Sequence, residues 1–222
     1  MVFSGLMNKA LIRLMAGFRR FREKYYLVGE DEHSVYEKLA SVGQSPKTLL
    51  IGCSDSRVDP AILTDASPGE MFVVRNVANL VPPCEPSAVG FHGTSSAIEF
   101  AVKNLKVENV IVLGHRQCGG IRALMEGATD QPRSFVGQWM SIAEEARKNV
   151  LKRYPNVDDE TKWRMGELES IKVSIKNLLT FPFVKEAVDK GELNLLGLFF
   201  DLEQGQLLEF DAANDDFRPV TI

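Results

Sequence analysis

Two unbroken apolar runs, each leading into residues that bind metals, constrain this sequence more than any other feature. Residues 49–51 are Leu-Leu-Ile and precede Cys53, and residues 110–113 are Val-Ile-Val-Leu and precede His115 and Cys118. Apolar runs without alternation are typical of parallel strands that are buried on both faces. The chain has only three cysteines and three histidines, so this placement is a selective pattern. The sequence therefore predicts two buried strands that each end at a metal-binding group.

The segment between the two runs predicts a helix. Small and apolar side chains recur every four residues from about Ser87 to Leu105, which is the pattern of an amphipathic helix. Strand, helix and strand form a βαβ unit, whose crossover is almost always right-handed. In open α/β sheets the functional crevice lies at the carboxyl ends of the strands. We therefore expect Cys53 and His115 to reach the same edge of one sheet.

The remaining chain alternates between predicted strands, helices and turns. Strands are expected over residues 71–75, 193–202 and 206–211, and helices over residues 1–26, 34–43, 134–150, 159–179 and a shorter stretch before Gly191. The predicted fold class is α/β, with a central, mainly parallel β-sheet flanked by helices, an N-terminal helical arm and a C-terminal strand hairpin. We expect a single domain over residues 1–222, in which residues 1–33 form an arm that packs on a partner subunit.

Composition excludes several classes of protein. The net charge of −4 gives no reason to expect nucleic acid as a partner. Three cysteines are too few for a disulfide framework, which favours a reducing, cytoplasmic compartment. No apolar run approaches the ~20 residues that a membrane span needs. The first helix is basic and amphipathic, but we expect it to pack on protein rather than to associate with a membrane.

The ligand set points to zinc. Cys53, His115 and Cys118 offer two thiolates and one imidazole, which suit Zn²⁺. Structural zinc has four protein ligands, whereas catalytic zinc has three and leaves one position for water. The count therefore favours one catalytic Zn²⁺ per chain. The alternative is two buried thiols and a core histidine without metal.

Cys53-x-Asp55-x-Arg57 followed by His115-x-x-Cys118 resembles the beta-class carbonic anhydrases. Further segments carry the resemblance, and the first of them is similar to the plant-type branch: residues 44–47, 68–70, 74–79, 181–184 and 191–193. The resemblance implies zinc-dependent reversible hydration of CO₂ to bicarbonate and a proton, by attack of zinc-bound hydroxide on CO₂. It also implies a homodimer or a dimer-based oligomer. This chain departs from the plant-type pattern at Phe100, where a Tyr is expected, and has two extra residues near Cys84.

Asp55 and Arg57 are the predicted catalytic residues. In an extended chain Asp55 points the same way as Cys53, two residues earlier, so its carboxylate could accept a hydrogen bond from the zinc water. Arg57 could hold Asp55 in a bidentate pair and keep it ionised. Two alternatives remain. The pair could be an ordinary structural ion pair, or Asp55 could leave Arg57 and close the site as a fourth zinc ligand, as the resemblance implies for some family members.

Five residues are candidates for binding substrate. The Gln44 amide could donate to a bicarbonate oxygen, or could instead cap a loop. The side chains of Phe72, Val77 and Phe100 suit an apolar wall for CO₂, although each could equally be plain core. Gly119 would let the backbone pass close to the metal and would open a helix N-terminus, which favours an anion.

Two other functions compete with CO₂ hydration. One is a zinc-stabilised scaffold or sensor with a closed Cys₃His or Cys₂His-Asp site, and the other is hydration of a CO₂ analogue such as a carbon–sulfur compound. The third cysteine, Cys84, lies between prolines, and we predict that it is not a ligand. Some family members are also inhibited by bicarbonate at a second site, which uses a Trp at the position of Leu50. We expect Leu50 to prevent this.

Overall fold

The computed structural model describes residues 8–26, 34–85, 90, 92–130 and 134–221. The chain forms two compact units, Met1–Gln44 and Ser45–Ile222. Parts of the predicted arm, residues 1–7 and 27–33, lie outside the described residues. The expectation of one domain over residues 1–222, with an arm over residues 1–33, stays a prediction.

The N-terminal unit contains two helices, α1 (Lys9–Tyr25) and α2 (Val35–Val42). Ser34 and Glu37 form the predicted capping box at the start of α2, and α2 ends at Gly43, as predicted. Gly43 has a φ of 79°, a backbone conformation that glycine adopts without steric cost.

Helix α1 is amphipathic, as its sequence predicts, but it buries none of its residues within the described chain. One end carries an aromatic cluster, in which the rings of Phe21, Tyr25 and Tyr26 pack around Tyr36 from α2. Farther along the helix, Leu14 and Phe18 are exposed to solvent. Because large apolar side chains rarely stay exposed in a row, this face has the character of a contact surface.

The second unit is built on one sheet. Its strands are β1 (Thr48–Cys53), β2 (Met71–Asn76), β3 (Asn109–His115), β4 (Asn194–Asp201), β5 (Gln206–Asp211) and β6 (Asp216–Pro219). The order is β2-β1-β3-β4-β5-β6. The first four strands in this order pair in parallel, and the last two pairings are antiparallel. This confirms the mainly parallel sheet and the C-terminal hairpin, and adds a strand, β6, that was not predicted.

Helices flank the sheet. They are α3 (Pro60–Thr64), α4 (Gly93–Glu99), α5 (Gly119–Met125), α6 (Phe135–Met140), α7 (Glu144–Arg153), α8 (Asp159–Leu178) and α9 (Pro182–Asp189). The crossover helix expected from about Ser87 is described from Gly93, and it continues as a π-helical turn over Phe100–Leu105. Residues 86–89 and 91 lie outside the described chain.

The helix predicted over residues 134–150 is broken in the structure. A 3₁₀ turn, Ser141–Ala143, separates α6 from α7. The Ser141 hydroxyl donates to the Gln138 carbonyl oxygen at an O···O distance of 2.7 Å. A serine that bonds back to the preceding turn competes with the helical hydrogen bonds and bends a helix.

Both faces of the sheet are packed. One face buries Leu49 and Ile51 of β1 against Ile98 and Ile171, and the other packs Cys53 and Cys118 together with Ile121. Helix α8 crosses β3 and β4. A Cβ on Gly114 would lie 2.7 Å from Cδ1 of Ile171, so any larger residue at this position would force the Ile171 side chain of this helix to shift.

No helix in the described ranges is both long enough and apolar enough to cross a lipid bilayer.

Candidate metal centre

Three side chains meet at the carboxyl edge of the parallel strands. Cys53 is the last residue of β1, His115 is the last residue of β3, and Cys118 is the N-cap of α5. Strands β1 and β3 are neighbours in register, so their ends bring the two groups together as the topology predicts. The ligand atoms of the three residues all lie within 4.8 Å of one another, and the two sulfur atoms are 3.9 Å apart.

The imidazole of His115 is presented for coordination. Its Nδ1 lies 2.8 Å from the carbonyl oxygen of Arg116, so Nδ1 carries the proton and donates it there. Its Nε2 is buried without a hydrogen-bond partner among the described residues. A buried polar atom without a partner is costly, and a metal ion would relieve that cost. The lone pair of Nε2 and two sulfur atoms are a donor set that fits Zn²⁺.

The two cysteines are buried and share a hydrogen bond. This contact between the two sulfur atoms lowers the pKa of the Cys53 thiol to about 4. The same contact, together with burial, raises the pKa of the Cys118 thiol. The backbone N–H of Asp55 also points at the Cys53 sulfur, at 3.4 Å. One thiolate is therefore favoured before any metal binds, and a cation would favour the second.

Asp55 and Arg57 form the predicted bidentate pair. The guanidinium donates through Nε to Oδ1 at 3.0 Å and through Nη2 to Oδ2 at 2.7 Å. The Arg57 backbone N–H also donates to Oδ1, at 2.9 Å. These bonds hold the pKa of the Asp55 carboxyl well below its ordinary value, so the group is a carboxylate. Both residues lie on the loop directly after Cys53.

A second arginine, Arg75 at the end of β2, holds the same loop. It donates to the carbonyl oxygens of Cys53 at 2.9 Å and Asp55 at 2.7 Å, and it pairs with Asp59 at 2.9 Å. Asp59 in turn accepts from backbone N–H groups at the start of α3. The loop that carries both Cys53 and Asp55 is thus fixed from the neighbouring strand.

A buried glutamate supports the third ligand. Glu167 of α8 accepts a hydrogen bond from the backbone N–H of Cys118 at 3.0 Å. Its second carboxylate oxygen has no partner among the described residues. Burial raises the pKa of Glu167 to about 7. This residue fixes the turn between β3 and α5, on which Cys118 lies.

Of the three candidate wall residues, Val77 lies beside the cluster, whereas Phe72 packs with the core on the other face of the sheet. A Cβ on Gly120 would lie 2.9 Å from Cγ1 of Val77, so Val77 lies against the start of α5, beside the cluster. The rings of Phe72 and Phe100 are 5.8 Å apart, and Val77 and Phe100 are 41% and 43% exposed. These exposures show that neither side chain is plain core.

The two other predicted substrate residues are Gly119 and Gln44. Gly119 is the first residue of α5, as expected, and no atom lies within 4 Å of where its Cβ would be. Gln44 is exposed and is the last residue of the N-terminal unit, so its role stays a prediction. Cys84 lies outside the three-residue group. Its backbone N–H donates to the Thr180 hydroxyl at 2.7 Å.

Arg75, Gln117 and Glu167 contact this site and were not identified from the sequence. A signal existed for Glu167, because it lies four residues before Ile171 and so on the buried face of α8. Gln117 lies between two predicted ligands. Nothing in the spacing of Arg75 separates it from a surface arginine.

Known proteins are similar to this chain in sequence and in fold. The family described as carbonic anhydrase matches residues 48–207. A carbonic anhydrase from Synechocystis sp. is 35% identical over 206 residues, covering 92% of this chain and 73% of that protein. The solved beta-carbonic anhydrase CcaA is 32% identical, with a TM-score of 0.87 over 97% of this chain and 94% of that one.

A third relative is a solved tetrameric beta-carbonic anhydrase from the filamentous ascomycete Sordaria macrospora. It is 29% identical, with a TM-score of 0.71 over 91% of this chain and 94% of that one. The family match, the Synechocystis relative and the two solved structures all indicate the same family, and the cluster at the strand ends agrees with it. The chain therefore belongs to the beta class of the carbonic anhydrase family, which are carbonate dehydratases.

Proposed function

We propose that this protein binds one Zn²⁺ through Cys53, His115 and Cys118 and uses it to hydrate CO₂ reversibly to bicarbonate and a proton. The observation that carries the proposal is a buried Cys₂His group beside the ionised carboxylate of Asp55, which is paired with Arg57. A zinc ion bound there supplies Lewis acidity, which makes a water molecule acidic enough to act as a nucleophile near neutral pH.

The role of Asp55 follows from its position and its charge. Its carboxylate is two residues from Cys53 and is only 18% exposed, against 48% for the Arg57 side chain. A carboxylate can only accept hydrogen bonds, so it orients a water molecule whose proton points at it. Arg57 occupies both oxygens and keeps Asp55 ionised. Together they position the nucleophile.

The substrate wall suits a small uncharged molecule. Val77 lies against the start of α5, and we propose that the partly exposed ring pair of Phe72 and Phe100 adds to the wall. Such apolar surfaces favour CO₂ over water. Phe100 supplies no hydroxyl, whereas backbone N–H groups near Gly119 and the amide of Gln44 are groups that can donate hydrogen bonds to bicarbonate. We propose these two as the bicarbonate-binding residues.

The zinc-stabilised scaffold is the second candidate function, and two observations weigh against it. A closed Cys₃His site needs a third thiol, but Cys84 is not part of the group. A closed Cys₂His-Asp site needs a free Asp55, but both of its oxygens accept from Arg57. Both features support an open fourth position.

The test is a stopped-flow pH-indicator assay of CO₂ hydration, with zinc content measured on the same sample. We expect one zinc per chain and turnover that an active-site anion inhibitor abolishes. Cys53→Ser should lose both, and Cys84→Ser is the matched control, since it changes a thiol outside the cluster. One bound zinc without turnover would favour the scaffold, and turnover of a carbon–sulfur analogue alone would identify a different substrate.

Two finer proposals concern assembly and location. We propose a homodimer or a dimer-based oligomer, because β2 is an edge strand with Val73 exposed and α1 has an exposed apolar face. The Sordaria macrospora relative is described as tetrameric. Sedimentation at several concentrations tests this.

We also propose a cytoplasmic location, since two thiols 3.9 Å apart bind metal only if they stay reduced.

A further inference from the structure

We propose that Gln117, between the second and third metal ligands, is a positioning residue that holds Arg57 on Asp55. The inference rests on the proposed function, because it concerns the Asp55–Arg57 pair. Among the described residues, Gln117 is the one residue besides Asp55 that bonds to the Arg57 guanidinium.

The contacts begin at Arg57. Besides its two bonds to Asp55, the guanidinium donates through Nη1 to the side-chain oxygen of Gln117 at 3.3 Å and through Nη2 to its backbone oxygen at 3.0 Å. Four of the five guanidinium N–H groups therefore have acceptors. Two acceptors belong to Asp55 and two to Gln117, which follows the neighbouring strand β3 at the same edge of the sheet.

The Gln117 amide is itself oriented by a third residue. Its Nε2 donates to Oε1 of Glu203 at 2.7 Å. Reversing the amide would place its NH₂ group against the guanidinium and its oxygen against a carboxylate, and both contacts would be repulsive. The side-chain oxygen must therefore face Arg57. Glu203 lies on the turn between β4 and β5, so this turn fixes the amide from outside the metal loops.

Glu203 is anchored in the same way. Its other oxygen pairs with Arg116 at 3.1 Å, and Arg116 also pairs with the buried Asp201 at 3.5 Å. Gln117 has a left-handed φ of 57°, which turns its carbonyl towards Arg57. We call Arg57, Gln117 and Glu203 the arginine clamp.

The clamp matters because Arg57 is otherwise free to move. Its side chain is 48% exposed, and a long, half-exposed side chain exchanges readily between a carboxylate and water. If Arg57 rotates away, Asp55 loses both side-chain bonds and can turn towards the cluster. Gln117 therefore favours the arrangement in which Asp55 remains on Arg57 and the fourth metal position stays accessible.

The first test replaces Gln117 with methionine, which has a similar volume but no amide. Gln204→Met is the matched control, because Gln204 is exposed on the same turn as Glu203 and its side chain has no hydrogen bond within the described ranges. The Nε–H signal of Arg57 is observed by ¹⁵N NMR on the zinc-loaded protein. We expect its exchange with solvent to become at least about threefold faster in Gln117→Met and to be unchanged in Gln204→Met.

The second test is a double-mutant cycle on kcat/KM for CO₂. Gln117→Met should lower it by about three- to tenfold in wild-type protein with zinc content unchanged, and should have no further effect in Asp55→Asn protein, which keeps zinc and a reduced turnover but lacks the carboxylate through which the clamp acts. A residue that merely supports the fold would have the same effect in both backgrounds. If Gln117→Met does not fold, Glu203→Leu releases the amide from the other side and should move the Arg57 signal in the same direction.

The outcomes separate the two proposals. An unchanged Arg57 signal in both Gln117→Met and Glu203→Leu overturns the clamp, as does an equal effect of Gln117→Met on kcat/KM in the Asp55→Asn background. If the wild-type protein does not hydrate CO₂ but the Arg57 signal responds to Gln117→Met and not to Gln204→Met, the clamp stands and only the proposed function fails.

Discussion

Arg57 binds both oxygens of the Asp55 carboxylate, through Nε at 3.0 Å and Nη2 at 2.7 Å, two residues beyond the first cysteine of the metal-binding group. A structural zinc site has no need of such a pair. A site that must keep one position accessible does, because the nearest carboxylate would otherwise compete for the metal. The pair is thus the feature of this chain that most favours turnover over a closed site.

Asp55→Asn should keep zinc bound but lower kcat for CO₂ hydration by about 10²-fold or more, which is the usual contribution of a positioned acid or base. The amide matches the carboxylate in size, but it cannot accept through both of its polar atoms. Zinc content and stopped-flow rates on the same preparation provide the measurement. Wild-type turnover with full zinc would show that Asp55 does not orient the nucleophile.

Arg57→Ala should free Asp55 to become the fourth ligand and so give an inactive, closed site. The carboxylate would lose the two side-chain hydrogen bonds that now hold it, and a nearby Zn²⁺ is its strongest remaining partner. X-ray absorption of the zinc-loaded variant distinguishes a carboxylate from a water ligand. Full activity together with a water oxygen at the metal would contradict this prediction.

Much of the fold could be predicted because its signals are local. The apolar runs of β1 and β3 predicted buried parallel strands, and Ser34 with Glu37 predicted the start of α2. Strand β6 was missed because it is short and polar, with Phe217 as its one large apolar residue. Helix α3 has an Asp-Pro start that could have been recognised, but five residues show no periodicity.

The residues of the site also differ in whether the local sequence predicts them. Residue type and spacing predicted the three ligands and the Asp55–Arg57 pair, because these lie within two short segments. Glu167 and Glu203 could not be predicted in the same way. They reach the site from a helix and a turn far along the chain, and only the tertiary fold shows which backbone or side-chain group each one meets.

Cys84→Ser should change neither zinc stoichiometry nor activity. Cys84 lies outside the three-residue group, and its backbone is held by Thr180 rather than by any ligand. Its substitution changes one partly buried sulfur to oxygen, which should lower stability only modestly. Zinc analysis and the hydration assay check both quantities. A joint loss of zinc and activity would instead favour a closed, structural site.

Glu167→Leu should weaken zinc binding and stability more than Glu167→Gln. Leucine would leave the buried N–H of Cys118 without an acceptor, which costs about 1–3 kcal/mol. Glutamine keeps an oxygen that can accept from it. Chelator competition gives the zinc affinity, and thermal unfolding at fixed zinc concentration gives the stability. Equal affinities for the two variants would show that this hydrogen bond does not position Cys118.

The last prediction concerns inhibition by bicarbonate. The position at which some family members carry a Trp is Leu50, which is 1% exposed and has no polar group. Beside it, Arg75 pairs in register with Gly52 and already donates to Asp59 and to two carbonyl groups.

A second bicarbonate near Leu50 would therefore lose its hydration without gaining an indole donor or a free cation, and an unpaired buried anion is costly. We expect activity to change smoothly through moderately low pH, with bicarbonate acting only as product. Hydration rates across that range, with and without added bicarbonate at constant ionic strength, provide the measurement. Leu50→Trp is the matched variant, because it introduces an indole donor at the position where those family members carry a Trp. A cooperative loss of wild-type activity on acidification, made steeper by bicarbonate, would show that Leu50 does not prevent this inhibition.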